Sequence, residues 1–290
     1  PERAEVLAHV TAWLARAYYT IEQKPAPTQA MAEALALAEA RALDGPAVAV
    51  HVRVAWADGT IYVDLADEGW RVVEVDAYGW RVVDGAPVKF HRAAGMLPLP
   101  VPVRGAPLDG LRAFVNVKNE GTWRLLVSWL AMALRPSGPY PVLALFGEQG
   151  SAKSTVTRVL RELLDPNAAP LRSEPREPRD LMIAAEHGWV VALDNLSHLV
   201  PWLSDVICRL STGGGSSTRE LYTDADEVIF SAVRPVILNG IEEVITRGDL
   251  MQRAIIVELP AIGAEERRAE RDFWGAFGAA RPALFGALLD

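Results

Sequence analysis

The sequence has little cysteine, no long apolar run and no excess of positive charge. Cys208 is the single cysteine of 290 residues, so no disulfide forms within the chain and a reducing, cytoplasmic compartment is expected. The longest apolar run, 125–134, is flanked by Arg124 and Arg135 and is too short to cross a bilayer, so we expect no membrane partner. The formal charge of −8 repels polyanions, so any contact with nucleic acid must come from a local basic feature.

One stretch of the sequence predicts a nucleotide site. Residues 142–146 are apolar and predict a buried strand, and Gly147, Lys153 and Ser154 then fit the phosphate-loop pattern G-x-x-x-x-G-K-[ST]. The amide groups of such a loop and the following helix N-terminus suit a triphosphate, with Lys153 on the β- and γ-phosphates and Ser154 on Mg²⁺. The pattern therefore predicts ATP and Mg²⁺ as cofactors. The expected nucleotide-contacting residues are Gly147, Glu148, Gln149, Gly150, Ser151, Ala152, Lys153, Ser154 and Thr155.

One position departs from this pattern, because Ala152 replaces its second glycine. Alanine tolerates a positive φ less well than glycine does, so we expect a helix-like turn there. The alternative interpretation of the whole stretch is a glycine turn that merely joins a strand to a helix.

Two later strands are expected to end in polar side chains at the same edge of a sheet. The apolar residues 189–193 lead to Asp194, which is placed to hold Mg²⁺ through water. The apolar residues 235–238 lead to Asn239, a neutral side chain suited to orient a water against the γ-phosphate. Either strand alone is weak evidence.

The first part of the chain predicts two helices, over 2–22 and 28–43, followed by strands over 48–90 with a hairpin at Asp58-Gly59. The sequence Gly-Trp-Arg-Val-Val occurs at 69–73 and again at 79–83, a spacing typical of a β-meander. Two interpretations of its aromatic residues remain. Either Trp70 and Trp80 stack on nucleic-acid bases beside Arg71 and Arg81, or the tryptophans belong to a small β-core, which we favour.

The stretch 91–110 is rich in proline and glycine and predicts a connection between modules. We therefore expect a helical and β-meander domain over 1–108 and an ATPase domain over 109–290. In the second domain, 211–219 is expected to be a polar loop, 221–230 a hairpin, and 265–290 a helical lid over the nucleotide.

The phosphate loop, Asp194 and Asn239 follow one another in an order that resembles the AAA+ ATPases. Within that group the chain is similar to superfamily 3 helicases and to the helicase portions of phage and plasmid primases, over about residues 120–260. The resemblance implies an α/β fold: an AAA+-type P-loop core with a parallel central sheet, preceded by the small helical and β-meander domain. It also implies that Asn239 is sensor 1 and that Arg253, or else Arg247, enters the neighbouring subunit's site. A shared site of this kind implies a ring, usually a hexamer.

Two departures from that family affect the functional expectation. Asn195 replaces the usual second acid, so the general base is open between Asp194, Asp205 and Glu148. The predicted hairpin tip, 224–227, is acidic, so Arg219 is the better candidate for a nucleic-acid contact, with a surface ion pair as the alternative role.

These features predict a ring-forming, ATP-dependent helicase or translocase acting on single-stranded or forked DNA of a phage, plasmid or integrative element. Because the chain opens at Pro1, we expect a fragment to which a primase or polymerase module belongs. An alternative is an AAA+ switch or remodeller of protein partners, which Asn195 and the net charge favour. A monomeric P-loop kinase is the third possibility.

Overall fold

The structure is a computed structural model and describes residues 3–213, 216–219, 227–230, 232–240, 245 and 247–290. The chain forms two compact units, Pro1–Ala49 and Val50–Asp290. The first unit is a pair of helices, α1 (Arg3–Glu22) and α2 (Thr28–Asp44), which pack against each other. Among the described residues, no helix combines the length and the apolar character needed to cross a membrane.

The second unit begins with short strands. These are β1 (Val50–His51), β2 (Val54–Ala57), β3 (Thr60–Asp64), β4 (Arg71–Asp76), β5 (Gly79–Asp84) and β6 (Lys89–Phe90). Strands β2 to β5 pair antiparallel in chain order, and β1 pairs in parallel with β6. Asp58 and Gly59 both have positive φ, 49° and 83°, which is the two-residue turn that matches the twist of paired strands.

The continuous strand predicted from Val48 is wrong, because the backbone turns sharply at Arg53, whose φ is 61°. Its guanidinium is completely buried and lies 3.1 Å from the Asp165 carboxylate, and it also donates to the carbonyls of Asp64 and Leu97. A buried charge must be paired in this way, and the pairing requires the backbone to leave the strand.

The rest of the second unit contains helices, the strands of a parallel sheet, and one antiparallel pair of strands. The elements are α3 (Glu120–Ala133), β7 (Val142–Phe146), α4 (Lys153–Leu164), α5 (Pro178–His187), β8 (Val191–Leu196), α6 (Pro201–Thr212), β9 (Ser216–Arg219), β10 (Glu227–Phe230), β11 (Val236–Gly240), α7 (Gly248–Met251), β12 (Ala254–Glu258) and α8 (Glu270–Leu289), with short 3₁₀ helices at Leu108–Ala113 and Ala264–Glu266.

Strands β7, β8, β11 and β12 form one parallel sheet in the order β12-β7-β11-β8. The predicted mixed α/β fold with a parallel sheet is therefore confirmed. Successive residues of β7 point into different hydrophobic clusters: Leu143 and Leu145 into one, Val142 and Ala144 into the other. Because both faces are covered, the strands are apolar throughout, and their polar groups appear where the strands end.

The first of these two clusters also contains Val54, Val63 and Trp80 of the antiparallel strands. The observed boundary between the compact units follows Ala49, whereas the sequence analysis predicts a domain boundary between residues 108 and 109. Whether 109–290 is a separate domain stays a prediction.

The polar loop predicted over 211–219 is wrong at both ends. Residues 211–212 complete α6, and 216–219 form β9, which pairs antiparallel with β10 so that Arg219 lies opposite Glu227. Residues 220–226, which include most of the predicted acidic tip, lie outside the described residues.

Helix α8 is part of the core. Its Phe277, Leu284 and Phe285 are buried, and Pro282 accepts a hydrogen bond from the amide of Val103. Glu270 and Phe273, at the beginning of α8, line a cavity together with residues of the phosphate loop. A role of 265–290 as a lid stays a prediction.

The two tryptophans of the repeat differ. Trp80 is buried and donates its indole N–H to Asp290, as the core interpretation predicts. Trp70 is 55% exposed, and the guanidinium of Arg92 lies 3.7 Å from the centre of its ring.

Candidate nucleotide site

The loop between β7 and α4 lies at the carboxyl edge of the parallel sheet and closes tightly on itself. A Cβ atom on Gly147 would lie 2.5 Å from the Leu259 carbonyl oxygen and 2.7 Å from Ser151 Oγ, so no larger residue fits. Ser151 is itself buried. The loop therefore places its backbone against the C-terminal end of β12, where the strand ends of an open α/β sheet form a ligand crevice.

Ala152 has φ 61° and ψ 29°, which is the left-handed conformation. The helix-like turn expected there is wrong. The loop requires the geometry that glycine usually supplies, and alanine adopts it at a cost of about 1–2 kcal/mol.

Lys153 is the first residue of α4, and its ammonium group folds back over the loop. Its Nζ donates to the carbonyls of Gly147 (2.7 Å) and Glu148 (2.9 Å). Desolvation lowers the pKa of Lys153, and the nearby Asp194 carboxylate partly opposes this shift. The ammonium group is therefore held at the loop by backbone carbonyls and partly removed from water.

Ser154 and Asp194 are 40 positions apart, yet the Ser154 hydroxyl donates to the Asp194 carboxylate over 2.8 Å. The two residues predicted to ligate Mg²⁺ therefore meet. Their oxygen atoms are the ligand type that Mg²⁺ prefers, and Mg²⁺ is commonly held by one or two carboxylates together with substrate phosphates. Among the described residues, no group of three or more His, Cys, Asp or Glu is arranged to hold a metal on its own.

A bulge at the end of β8 sets the position of Asp194. The pairing of β8 with β11 shifts after Leu238, and Asn195 has a φ of 57°. Asparagine is one of the few residues that accept this left-handed conformation readily. The backbone therefore gives a reason for asparagine at 195, where the sequence showed only the loss of an acid.

Asn239 fixes this bulge from the neighbouring strand. Its side-chain oxygen accepts from the amide of Asn195 (2.7 Å), and its Nδ2 donates to Thr157 Oγ1 (3.1 Å). Thr157 in turn donates to the carbonyl of Lys153 (2.9 Å). Asn239 is 1% exposed and thus connects the ends of two strands to the first turn of α4. Its role toward a water molecule stays a prediction.

A cavity of about 620 Å³ lies beside the phosphate loop, away from Ser154 and Asp194. This volume is typical of a small-molecule site. Its lining combines apolar and aromatic side chains with charged ones. The lining residues are Ala113, Phe114, Val115, Asn116, Gly150, Ala152, Thr155, Val156, Ile262, Glu266, Arg267, Arg268, Glu270 and Phe273.

Two residues at this cavity escaped the sequence analysis. Asn116 donates from its Nδ2 to the carbonyls of Ser151 and Pro260, and so fastens the phosphate loop to the segment after β12. Arg267 lies against Gly150 on the opposite side. Neither is part of a recognisable motif, and each is brought to the loop from more than 30 positions away.

The two candidate inter-subunit arginines lie outside this cluster. Arg253 immediately precedes β12 and is therefore at the amino edge of the sheet, about 16 Å from the level of the loop for a strand of five residues. It is exposed and donates to the Asp249 carbonyl. Arg247 is bound to α6, with its guanidinium 2.9 Å from the Asp205 carboxylate. Asp205, one of the possible general bases, is therefore engaged in an ion pair.

Comparison with known proteins shows that most of this chain matches one protein family. Residues 108–290 match the family described as actinomycete integrative conjugative element replication protein, which is well over half of this chain. No curated protein matches the chain.

Several solved structures are similar at low identity. An apo A-form structure of the NrS-1 C-terminal region is 13% identical, with a TM-score of 0.46, over 76% of this chain and 64% of that one. Another apo structure of that region is 12% identical, with a TM-score of 0.45, over 82% of this chain and 67% of that one. A JCV helicase with a bound small molecule is 10% identical, with a TM-score of 0.41, over 62% of this chain and 52% of that one. The chain spans just under two-thirds of the first structure. With TM-scores below 0.5, these similarities carry no argument.

Proposed function

Since the chain belongs to the family of actinomycete integrative conjugative element replication proteins, we propose that it is an ATP-dependent motor acting on the DNA of such an element. In this proposal it assembles as a ring, most simply a hexamer, and translocates on or unwinds single-stranded or forked DNA. A primase or polymerase module is a further expected partner.

The observation that carries the proposal is the contact between Ser154 and Asp194 (2.8 Å). A simple glycine turn between a strand and a helix does not require a hydroxyl and a carboxylate from distant motifs to meet. A Mg²⁺–triphosphate does require it, because Mg²⁺ binds a serine hydroxyl of the loop and an acid of the second strand. In the proposed site, Lys153 leaves the loop carbonyls to contact the β- and γ-phosphates.

The cavity beside Gly150 and Thr155 would receive the nucleoside. In this proposal Ser154 and Asp194 mark the end of the site where the terminal phosphates bind, and neither residue lines the cavity. The aromatic lining residues Phe114 and Phe273 suit a flat aromatic base. ATP would therefore lie along the loop, with its base toward α8.

The position of Arg253 supports a shared site. An arginine at the amino edge of the sheet is too far from its own phosphate loop to contact the triphosphate there. Exposure and a single backbone contact leave its guanidinium available to a neighbouring copy. An arginine supplied in trans accelerates phosphoryl transfer by roughly 10³–10⁵-fold.

The test is the ATPase rate of the purified chain with and without single-stranded and forked DNA, with particle mass measured in the same samples. We expect DNA-stimulated hydrolysis, an ATP-dependent oligomer, and loss of ATP binding in Lys153→Ala. Arg271→Ala, which removes an equal charge from an exposed site on α8, should behave as the unmodified chain does. If Lys153→Ala binds ATP normally, the loop is not the nucleotide site.

A second candidate function is an ATP-dependent switch that assembles with protein partners. Asn195 favours it, because the residue after Asp194 cannot take a proton and the general base is not evident. This function predicts ATP-dependent assembly with slow hydrolysis that DNA does not stimulate. The same experiment distinguishes the two.

A further inference from the structure

Trp70 is an exposed aromatic residue in an unusual backbone conformation. It immediately precedes β4 and is 55% exposed. Its φ of 54° lies in the left-handed region, where a bulky side chain is a rare outlier. Outliers of this kind cluster at sites that clamp a ligand, where the surrounding structure holds the strained residue in place. The conformation of Trp70 therefore calls for a functional explanation.

The surrounding structure fixes the indole ring from one side. The guanidinium of Arg92 lies 3.7 Å from the ring centre. That guanidinium is itself anchored, because it donates from Nε (2.9 Å) and from Nη2 (2.6 Å) to the two carboxylate oxygens of Asp64, which is completely buried. It also donates to the Asp67 carbonyl. An anchored cation thus covers one face of the ring, and the exposure of Trp70 comes from the other face and the edges.

A flat, uncharged ring fits the exposed face of Trp70 better than an ion does. A second cation is less suited, because Arg92 already interacts with the π electrons of the indole. A phosphate is not attracted strongly either, because the neighbouring Arg71 is paired with Asp67 over 2.6 Å and Glu68 adds an exposed negative charge. Stacking of a nucleobase on an aromatic side chain needs no net charge, and every base offers a suitable face.

We propose that Trp70 stacks on an unpaired base of single-stranded DNA. This inference rests on the proposed function, which makes such DNA the partner of the chain. It assigns a DNA contact to the segment that leads into the antiparallel strands, ahead of residues 108–290 that match the family. Of the two tryptophans in the repeated sequence, only Trp70 can take this role, because Trp80 is buried in the core.

The experiment measures the affinity of the full chain for an end-labelled oligothymidine by fluorescence anisotropy. Trp70→Gly is the main variant, because glycine accepts a φ of 54° and so removes the ring without straining the backbone. We expect its affinity to fall by about 5- to 150-fold, which corresponds to the stacking of one base. Trp70→Phe, which keeps a smaller ring, should recover part of the loss.

Two controls separate stacking from other effects. An abasic strand of the same length has no base to stack, so Trp70→Gly should bind it as the unmodified chain does. Trp56→Ala removes a tryptophan of β2 that is exposed to nearly the same extent (53%), and it should leave the affinity for oligothymidine unchanged. Circular dichroism verifies the fold of each variant.

The inference is overturned if Trp70→Gly binds oligothymidine as the unmodified chain does. It is also overturned if Trp70→Gly loses equal affinity for oligothymidine and for the abasic strand, because Trp70 would then act on the backbone of the DNA or on the fold. If DNA stimulates ATP hydrolysis while Trp70→Gly binds DNA normally, the inference fails and the proposed function stands. If the unmodified chain does not bind oligothymidine, the inference fails together with the DNA part of the proposed function.

Discussion

The polar groups beside the phosphate loop, at the carboxyl edge of the parallel sheet, are held differently from Arg253, which lies at the amino edge. At the carboxyl edge, Lys153, Ser154, Asp194 and Asn239 are hydrogen-bonded to the loop or to one another. At the amino edge, Arg253 is exposed and contacts a single backbone carbonyl. Groups that bind nucleotide within one chain benefit from being held in place beforehand. A group that acts on another molecule must instead remain accessible.

The largest expected effect tests the amino edge. In Arg253→Ala we expect ATP to bind with unchanged affinity while its turnover falls by roughly 10³-fold or more, because only the transition state needs the additional cation. Equilibrium binding and steady-state hydrolysis, measured on the same preparation, give the two quantities.

Arg247→Ala is the comparison variant for this experiment. Because Arg247 is paired with Asp205 in its own chain, its loss should affect stability more than turnover. Normal hydrolysis by Arg253→Ala would remove the argument for a shared site. Loss of turnover in Arg247→Ala alone would transfer the inter-subunit role to that residue.

A second prediction uses pH to test the carboxyl edge. Desolvation lowers the pKa of Lys153, so the free chain loses this charge at a lower pH than an ordinary lysine with a pKa of 10.5. Affinity for ATP depends on the protonated ammonium. As the pH is raised, the affinity should therefore start to decrease before pH 10.5 is reached, by at most about tenfold per pH unit. The arginines remain charged over this range. ATP titrations at increasing pH, with circular dichroism to verify the fold, give the profile; a flat profile up to pH 10.5 would contradict it.

A third prediction concerns the connection between the strands. Asn239→Ala leaves the Asn195 amide and the Thr157 hydroxyl without their partner, and should lower the free energy of unfolding by about 1–3 kcal/mol. Denaturant unfolding measures the change. Thr157→Val removes two hydrogen bonds as well, those with Asn239 Nδ2 and with the Lys153 carbonyl, and should have a similar cost. Unfolding of Asn239→Ala at the free energy of the unmodified chain would show that Asn239 does not hold the bulge.

The smallest expected effect is at the left-handed residue of the loop. Ala152→Gly relieves the strained conformation but increases the flexibility of the unfolded chain, for a net stabilisation of about 0.5–1 kcal/mol. The control is Ala131→Gly, at an exposed position within α3, which should instead destabilise by about 1 kcal/mol. If both variants lose stability alike, the left-handed conformation of Ala152 is incorrect.

Local sequence pointed to residues that the structure brings together, and their roles toward a nucleotide stay predictions. The phosphate-loop pattern identified Lys153 and Ser154, and an apolar run ending in an acid identified Asp194, because such runs end at one edge of a parallel sheet. The pattern failed at Ala152, where the closure of the loop overrides the preference of alanine. It also gave no sign that Asn195 adopts a left-handed conformation at the bulge, with a φ of 57°.

The secondary structure was predictable in segments where apolar residues recur at one regular spacing. The helices and parallel strands of the second unit follow their apolar patterns, as α4 and β7 illustrate. The strand predicted through Arg53 failed because its guanidinium is buried against Asp165, more than 100 positions away. The loop predicted through 216–219 failed because the pairing of β9 with β10 decides its conformation. Long-range partners of this kind leave no periodic signal.

The sequence by itself determined the parallel α/β core, the loop with its lysine and serine, and the apolar strand that ends in Asp194, because those features depend on short spacings along the chain. Only the tertiary structure decided that Asn239 supports a bulge, that Arg267 reaches Gly150, and that Arg253 lies at the opposite edge of the sheet. The physical reason is that these positions depend on the order of the strands in the sheet and on the paths of the segments that connect them. Local preferences of individual residues do not encode either of these.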